Sequence, residues 1–136
     1  MRAFPIAILI ALSMDSCLHS RACSPRHTVN FAALSDADRI EITREGVTKI
    51  ATITDPVKVR RAALFIQQRS DDWSEVLAGP QAATIILEFF SGNRWAGGFG
   101  VAHTYLVDGP TSRPTPSAEI DQFLKDMGVN LPSPRG

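Results

Sequence analysis

Between Asp38 and Gly128 the apolar residues fall into two rhythms, and each rhythm names a kind of element. Arg39-Ile40-Glu41-Ile42-Thr43-Arg44 alternates polar with apolar, the period of a half-buried strand. Glu45-Gly46 is a turn signal, and the β-branched run from Val47 to Thr54 reads as the returning strand. Ile50 and Ile53 cannot share a face of a regular strand, so one points outward or a bulge intervenes. Val59, Ala62, Ala63 and Ile66 then recur at helical spacing, with Lys58, Arg60 and Arg61 mostly off that stripe. Asp55-Pro56 opens this helix: the aspartate accepts from a free first-turn N–H, and proline at the first position forfeits no hydrogen bond. The helix is expected to end near Arg69.

A second hairpin follows, from Ala83 to Phe90 and from Arg94 to about Ala102, turning at Ser91-Gly92-Asn93. Its loop length decides which side chains meet. A two-residue loop at Gly92-Asn93 opposes Phe90 to Trp95 and Ile86 to Phe99, and leaves both faces apolar. A three-residue loop brings Phe89 to Trp95, Ile85 to Phe99 and Ala83 to Val101. Thr84, Glu88 and Arg94 then share a wetter face with Ile86 and Phe90. Only the second register separates a core face from a solvated one, so it is the one expected.

Thr104 to Val107 reads as a further strand, and Thr115-Pro116 opens a second helix by the logic of Asp55-Pro56. Ile120, Phe123, Leu124 and Met127 share one stripe, and Gly128 can take the left-handed conformation that stops a helix. The order ββαβββα, joined by short turns, predicts an α+β fold. It is a two-layer sandwich whose mostly antiparallel sheet carries two helices on one face.

The N-terminus changes the picture. Arg2 precedes an apolar run from Ala3 to Met14, interrupted by Pro5 and Ser13. Twelve residues fall short of the ~20 that span a bilayer, and match the core of a secretory signal. Ser20-Arg21-Ala22 offers small residues for cleavage before Cys23, and Met14-Asp15-Ser16-Cys17 resembles a lipoprotein box that would lipidate Cys17. Four parts are therefore expected: a signal segment over 1–22, a tether over 23–37, one domain over 38–128 and a flexible tail over 129–136. The localisation implied is the periplasm or cell envelope, touching membrane only through the signal segment or a lipid anchor. Cys17 and Cys23 are the only cysteines, so the domain body has no disulfide framework.

Charge excludes one class of partner. Lysine plus arginine equals aspartate plus glutamate at fourteen each, and removing Arg2, Arg21 and Asp15 leaves twelve against thirteen. Nucleic-acid binders carry a basic excess that is missing here.

Candidate chemistry is sparse. Gly97-Gly98-Phe99-Gly100 lacks the following helix that a phosphate cradle needs, and reads instead as a bulge or as small residues facing large ones. His103 shares a strand face with Tyr105, but no nucleophile is placed beside it. Glu88 has no second carboxylate near it, and Arg94 is its expected diagonal neighbour. Asp71, Asp72 and Glu75 lack the spacing and central glycine of a calcium loop, so Trp73 reads as pinned to the core inside a solvated acidic loop. Lys58, Arg60, Arg61 and Arg69 read as a solvated basic helix face. No metal site or cofactor is expected. The leading expectation is a non-enzymatic envelope module that binds another protein through Ile86 and Phe90, rimmed by Glu88 and Arg94. A small-ligand binder or hydrolase-like enzyme using His103, Tyr105 and Glu88 is the alternative, and a structural lipoprotein held by Cys17 a third.

Overall fold

The computed structural model describes residues 30–75 and 83–131. Strand β1 (Arg39–Arg44) turns through Glu45 and Gly46, at φ 52° and 71°, into β2 (Thr48–Ile53). Two consecutive positive φ values match the twist of an antiparallel pair, and the Val47 N–H closes the turn on the Arg44 carbonyl at 3.0 Å. The conflict between Ile50 and Ile53 is settled by both devices together. Ile42 lies opposite Ala51 and Thr43 opposite Lys49, so Ile50 is the unpaired residue of a bulge and stands exposed. Ile53, opposite Ile40, is buried. Helix α1 (Pro56–Gln67) starts where Asp55 accepts from the Val57 N–H at 2.9 Å, and it buries Val59, Ala62, Ala63 and Ile66.

The second hairpin corrects the expected register. Strands β4 (Ile85–Ser91) and β5 (Arg94–Val101) meet at Ser91 and Arg94, so the loop has two residues, with Gly92 at φ 58°. Phe90 faces Trp95; the register then shifts by one, and Phe89 faces Gly97, Leu87 faces Phe99 and Ile85 faces Val101. The bulge falls at Ala96, which leaves β5 out of phase at its two ends. It reconciles a short loop with a sorted pair of faces, the combination an unbulged strand could not supply. Ile85, Leu87, Phe89, Phe99 and Val101 all reach the core. Trp95 does not: it stands on the opposite face, 58% exposed.

Strand β6 (Tyr105–Asp108) pairs with β5 and with β7 (Thr111–Pro114), a strand between the expected Thr104–Val107 strand and the second helix. A two-residue β3 (Ser74–Glu75) closes the far edge against β7. The sheet is antiparallel with spatial order β2-β1-β4-β5-β6-β7-β3. Helix α2 (Ser117–Asp126) packs beside α1, and both bury their stripes on one face of the sheet. The fold is an α+β sandwich, with β3 and β7 added to the expected order.

Three boundaries move. Thr115 does not cap α2, because its hydroxyl bonds back to the Arg113 carbonyl and Pro116 is the cap residue. Within the supposed tether, a 3₁₀ turn (Ala32–Asp36) buries Leu34, while Phe31 packs on Phe99 and Trp73. Within the supposed tail, Val129 is buried, because Gly128 (φ 75°) folds the chain back. The Val129 N–H then reaches the Leu124 carbonyl and the Gly128 N–H that of Lys125, a Schellman closure. The packed domain therefore extends beyond 38–128 at both ends. Residues 1–29, with the expected signal segment, Cys17 and Cys23, lie outside the described residues, as do 132–136.

Candidate functional site

Helices cover one face of the sheet; among the described residues none covers the other. On this open face the strands set Arg39 and Glu41 of β1 beside Glu88 and Phe90 of β4, and Trp95 and Gly98 of β5 beyond them. The glycine decides the local relief. A Cβ at position 98 would stand 3.2 Å from Cζ2 of Trp95, so the indole lies across the bare backbone there. Phe90, directly opposite Trp95, sits half-buried under the Arg39 guanidinium, 4.6 Å from ring centre to Cζ.

Arg39 is held on three sides. Its Nη1 donates to the Gly92 carbonyl at 3.2 Å, its Nε lies 3.5 Å from Glu41, and Glu41 in turn lies 3.5 Å from Lys49. The preceding residue, Asp38, accepts from the Gly92 N–H with both carboxylate oxygens, at 3.1 and 3.2 Å. Start of β1 and tip of the second hairpin are thereby tied together, and the Phe90–Trp95 pair stands on a braced support.

The four candidate binding residues do not form one cluster. Ile86 is half-buried and leans on the first hairpin, with its Cδ1 3.3 Å from where a side chain at Gly46 would begin. Phe90 lies at the other end of the same strand face, with half-buried Glu88 between them. Arg94 leaves the group. The two-residue loop places it opposite Ser91, one residue out of phase with Trp95, and it lines a shallow crevice with Asn30, Asp36 and the edge of Trp95. The expected Glu88–Arg94 pair therefore does not form. Trp95 takes the vacated place. Sequence reasoning had put it in the core; the signal that locates it is a glycine heading a two-residue loop, followed by Gly97-Gly98, where a strand can bulge.

His103, Tyr105 and Glu88 are not brought together either. Glu88 pairs with Gly98, and Tyr105 lies across from Ala102 on the next strand. At about 4.8 Å per strand and about 3.3 Å per residue, their Cα atoms are ~16 Å apart. His103 lies beyond Ala102, at the bend after β5. Trp73 is pinned as expected, packed on Phe31 and Phe99 and donating its indole N–H to the Arg69 carbonyl at 2.6 Å. Among the described residues, no three histidine, cysteine, aspartate or glutamate side chains are grouped to hold a metal ion.

No family model, curated protein or solved structure matches this chain. What its surface can do therefore rests on geometry. An exposed indole, a phenyl ring under a guanidinium and a flat glycine floor offer large rigid contact area with little conformational freedom to lose, which is the composition of protein-contact hot spots.

Proposed function

We propose that this is a small exported, non-enzymatic module of the bacterial periplasm or envelope that binds another protein through the open sheet face. The observation that carries the binding reading is Trp95. A 58% exposed indole lying across Gly98, opposite Phe90, is a large apolar surface given to solvent in a domain that buries most of its others. Phe90, Trp95 and the Arg39 guanidinium form the contact centre, with Ile86 and Glu88 at its margin. Export rests on Arg2 and the apolar run Ala3 to Met14.

The test compares wild type with a Phe90→Ser/Trp95→Ser double variant as bait in an affinity pull-down from the native envelope fraction. A partner held by wild type and lost by the variant, with an unchanged melting temperature, supports the reading. Equal recovery by both overturns the assignment of the face. Intact mass tests export separately: the chain recovered outside the cytoplasm should begin at Cys17 or Cys23, and Met1 retained in a cytosolic product refutes it.

A further inference from the structure

The opposite side of the molecule carries a second surface, and its charges are sorted. Within α1, Lys58, Arg60 and Arg61 are cationic and no residue is anionic. Within α2, Glu119, Asp121 and Asp126 stand against the single cation Lys125. The helices run antiparallel, since Phe65 stacks on Phe123 at 4.0 Å while Arg69, just past the end of α1, pairs with Glu119, near the start of α2. Between them runs a groove of about 580 Å³ with Leu64, Phe65 and Met127 in its lining. Lys58 and Arg61 line one wall and Asp126 the other. Arg69 and Glu119 bridge the two walls at one end of the groove. Toward the other end, among the described residues, Lys58 and Arg61 make no ion pair and Asp126 accepts only from Gln122.

We propose that this helix face docks against the same face of a second copy of the chain, forming a two-fold dimer. An isologous interface must be complementary to itself. A two-fold axis lying along the groove carries α1 of one copy over α2 of the other, and the reverse. Each basic helix then meets an acidic one while the two apolar floors close on each other. An axis across the groove would instead stack like on like, so the charge pattern selects one arrangement of two. A formal net charge of zero for the full chain, or −1 without residues 1–22, leaves little long-range repulsion to oppose self-association. Two helices of ten and twelve residues give a small interface, so the dimer is of the weak, reversible class. This surface is independent of the open sheet face, and a dimer would present two such faces outward.

Sedimentation equilibrium of the purified full chain tests it, using two charge-swapped variants. Lys58→Glu/Arg61→Glu makes both helices acidic, and Gln122→Lys/Asp126→Lys makes both basic. Every substitution is at an exposed position, and Lys58→Glu and Asp126→Lys also suit the dipole of their helix ends, so folding should persist, as circular dichroism will verify. Wild type should approach twice the monomer mass with rising concentration, and less so at high salt. Each variant alone should remain monomeric, while their equimolar mixture should form a heterodimer. A wild type still monomeric at about 1 mM overturns the proposal. So does a variant that dimerises as wild type does, or a mixture that fails to associate. None of these outcomes depends on Trp95 or Phe90.

Discussion

Truncating Leu34 to alanine tests whether the segment before β1 belongs to the folded domain. Leu34 sits in the 3₁₀ turn with 1% of its surface exposed, and its Cδ2 lies 3.1 Å from where a side chain at Gly97 would begin. Removing its three outer carbons forfeits ~2.4 kcal/mol at about 0.8 kcal/mol per methylene. The gap left against β5 adds a cavity cost, which relaxation of so short a turn reduces, and a total of ~3 kcal/mol is expected. Asp36→Ala is the control, since Asp36 is exposed in the same turn and should change stability by less than about 0.5 kcal/mol. Urea melts of both variants, followed by far-ultraviolet circular dichroism, give the difference from their midpoints at unchanged slope. A Leu34→Ala cost under ~1 kcal/mol would refute the reasoning. It would mean that the turn detaches without loss and is a tether after all.

Three further outcomes are expected. Phe123→Ala should cost ~3–4 kcal/mol in the same melt, because it removes a buried ring stacked on Phe65, whereas exposed Lys125→Ala should be nearly neutral. Asp55→Ala should cost ~1 kcal/mol, the loss of the carboxylate that accepts from the Val57 N–H. Gly100→Ala should destabilise by ~1–3 kcal/mol, since its new Cβ would collide with that of Ala83, and a melt indistinguishable from wild type would show that this approach is not close.

What could be read from the sequence was whatever a single periodicity controls. The stripes Val59–Ala62–Ala63–Ile66 and Ile120–Phe123–Leu124 are buried as their spacing implies, and the alternation of Ile40 with Ile42 places β1 correctly. Errors arose where one residue breaks the period. Ala96 at its bulge inverts the face of Trp95 without altering composition, so counting alternation along β5 sent the indole inward and Arg94 outward with Glu88. Val129 and Leu34 were missed for another reason. Each is a single apolar residue beside a turn, too few to make a pattern, and each is buried because tertiary packing folds it back. The candidate site suffered most. It is assembled from a cation–π contact between β1 and β4 and a glycine floor on β5, relations between strands that no one segment encodes.

The strand order carries a consequence for how the molecule comes together. Four of the six strand junctions join consecutive strands through short turns, and these can zip locally; β1–β4 and β3–β7 cannot. Between leaving β1 and entering β4 the chain builds one edge of the sheet, crosses as α1 and touches the other edge at β3. Arg44 and Ile85, neighbours on that central seam, are therefore about forty residues apart in the chain. Closing so long a loop costs entropy before any contact repays it, so the seam is the step that should set the folding rate. Substitutions at Ile42 or Leu87, which face each other there, should then slow folding in proportion to the stability they remove. Equally costly changes inside the β6–β7 hairpin, such as at Leu106, should mainly quicken unfolding.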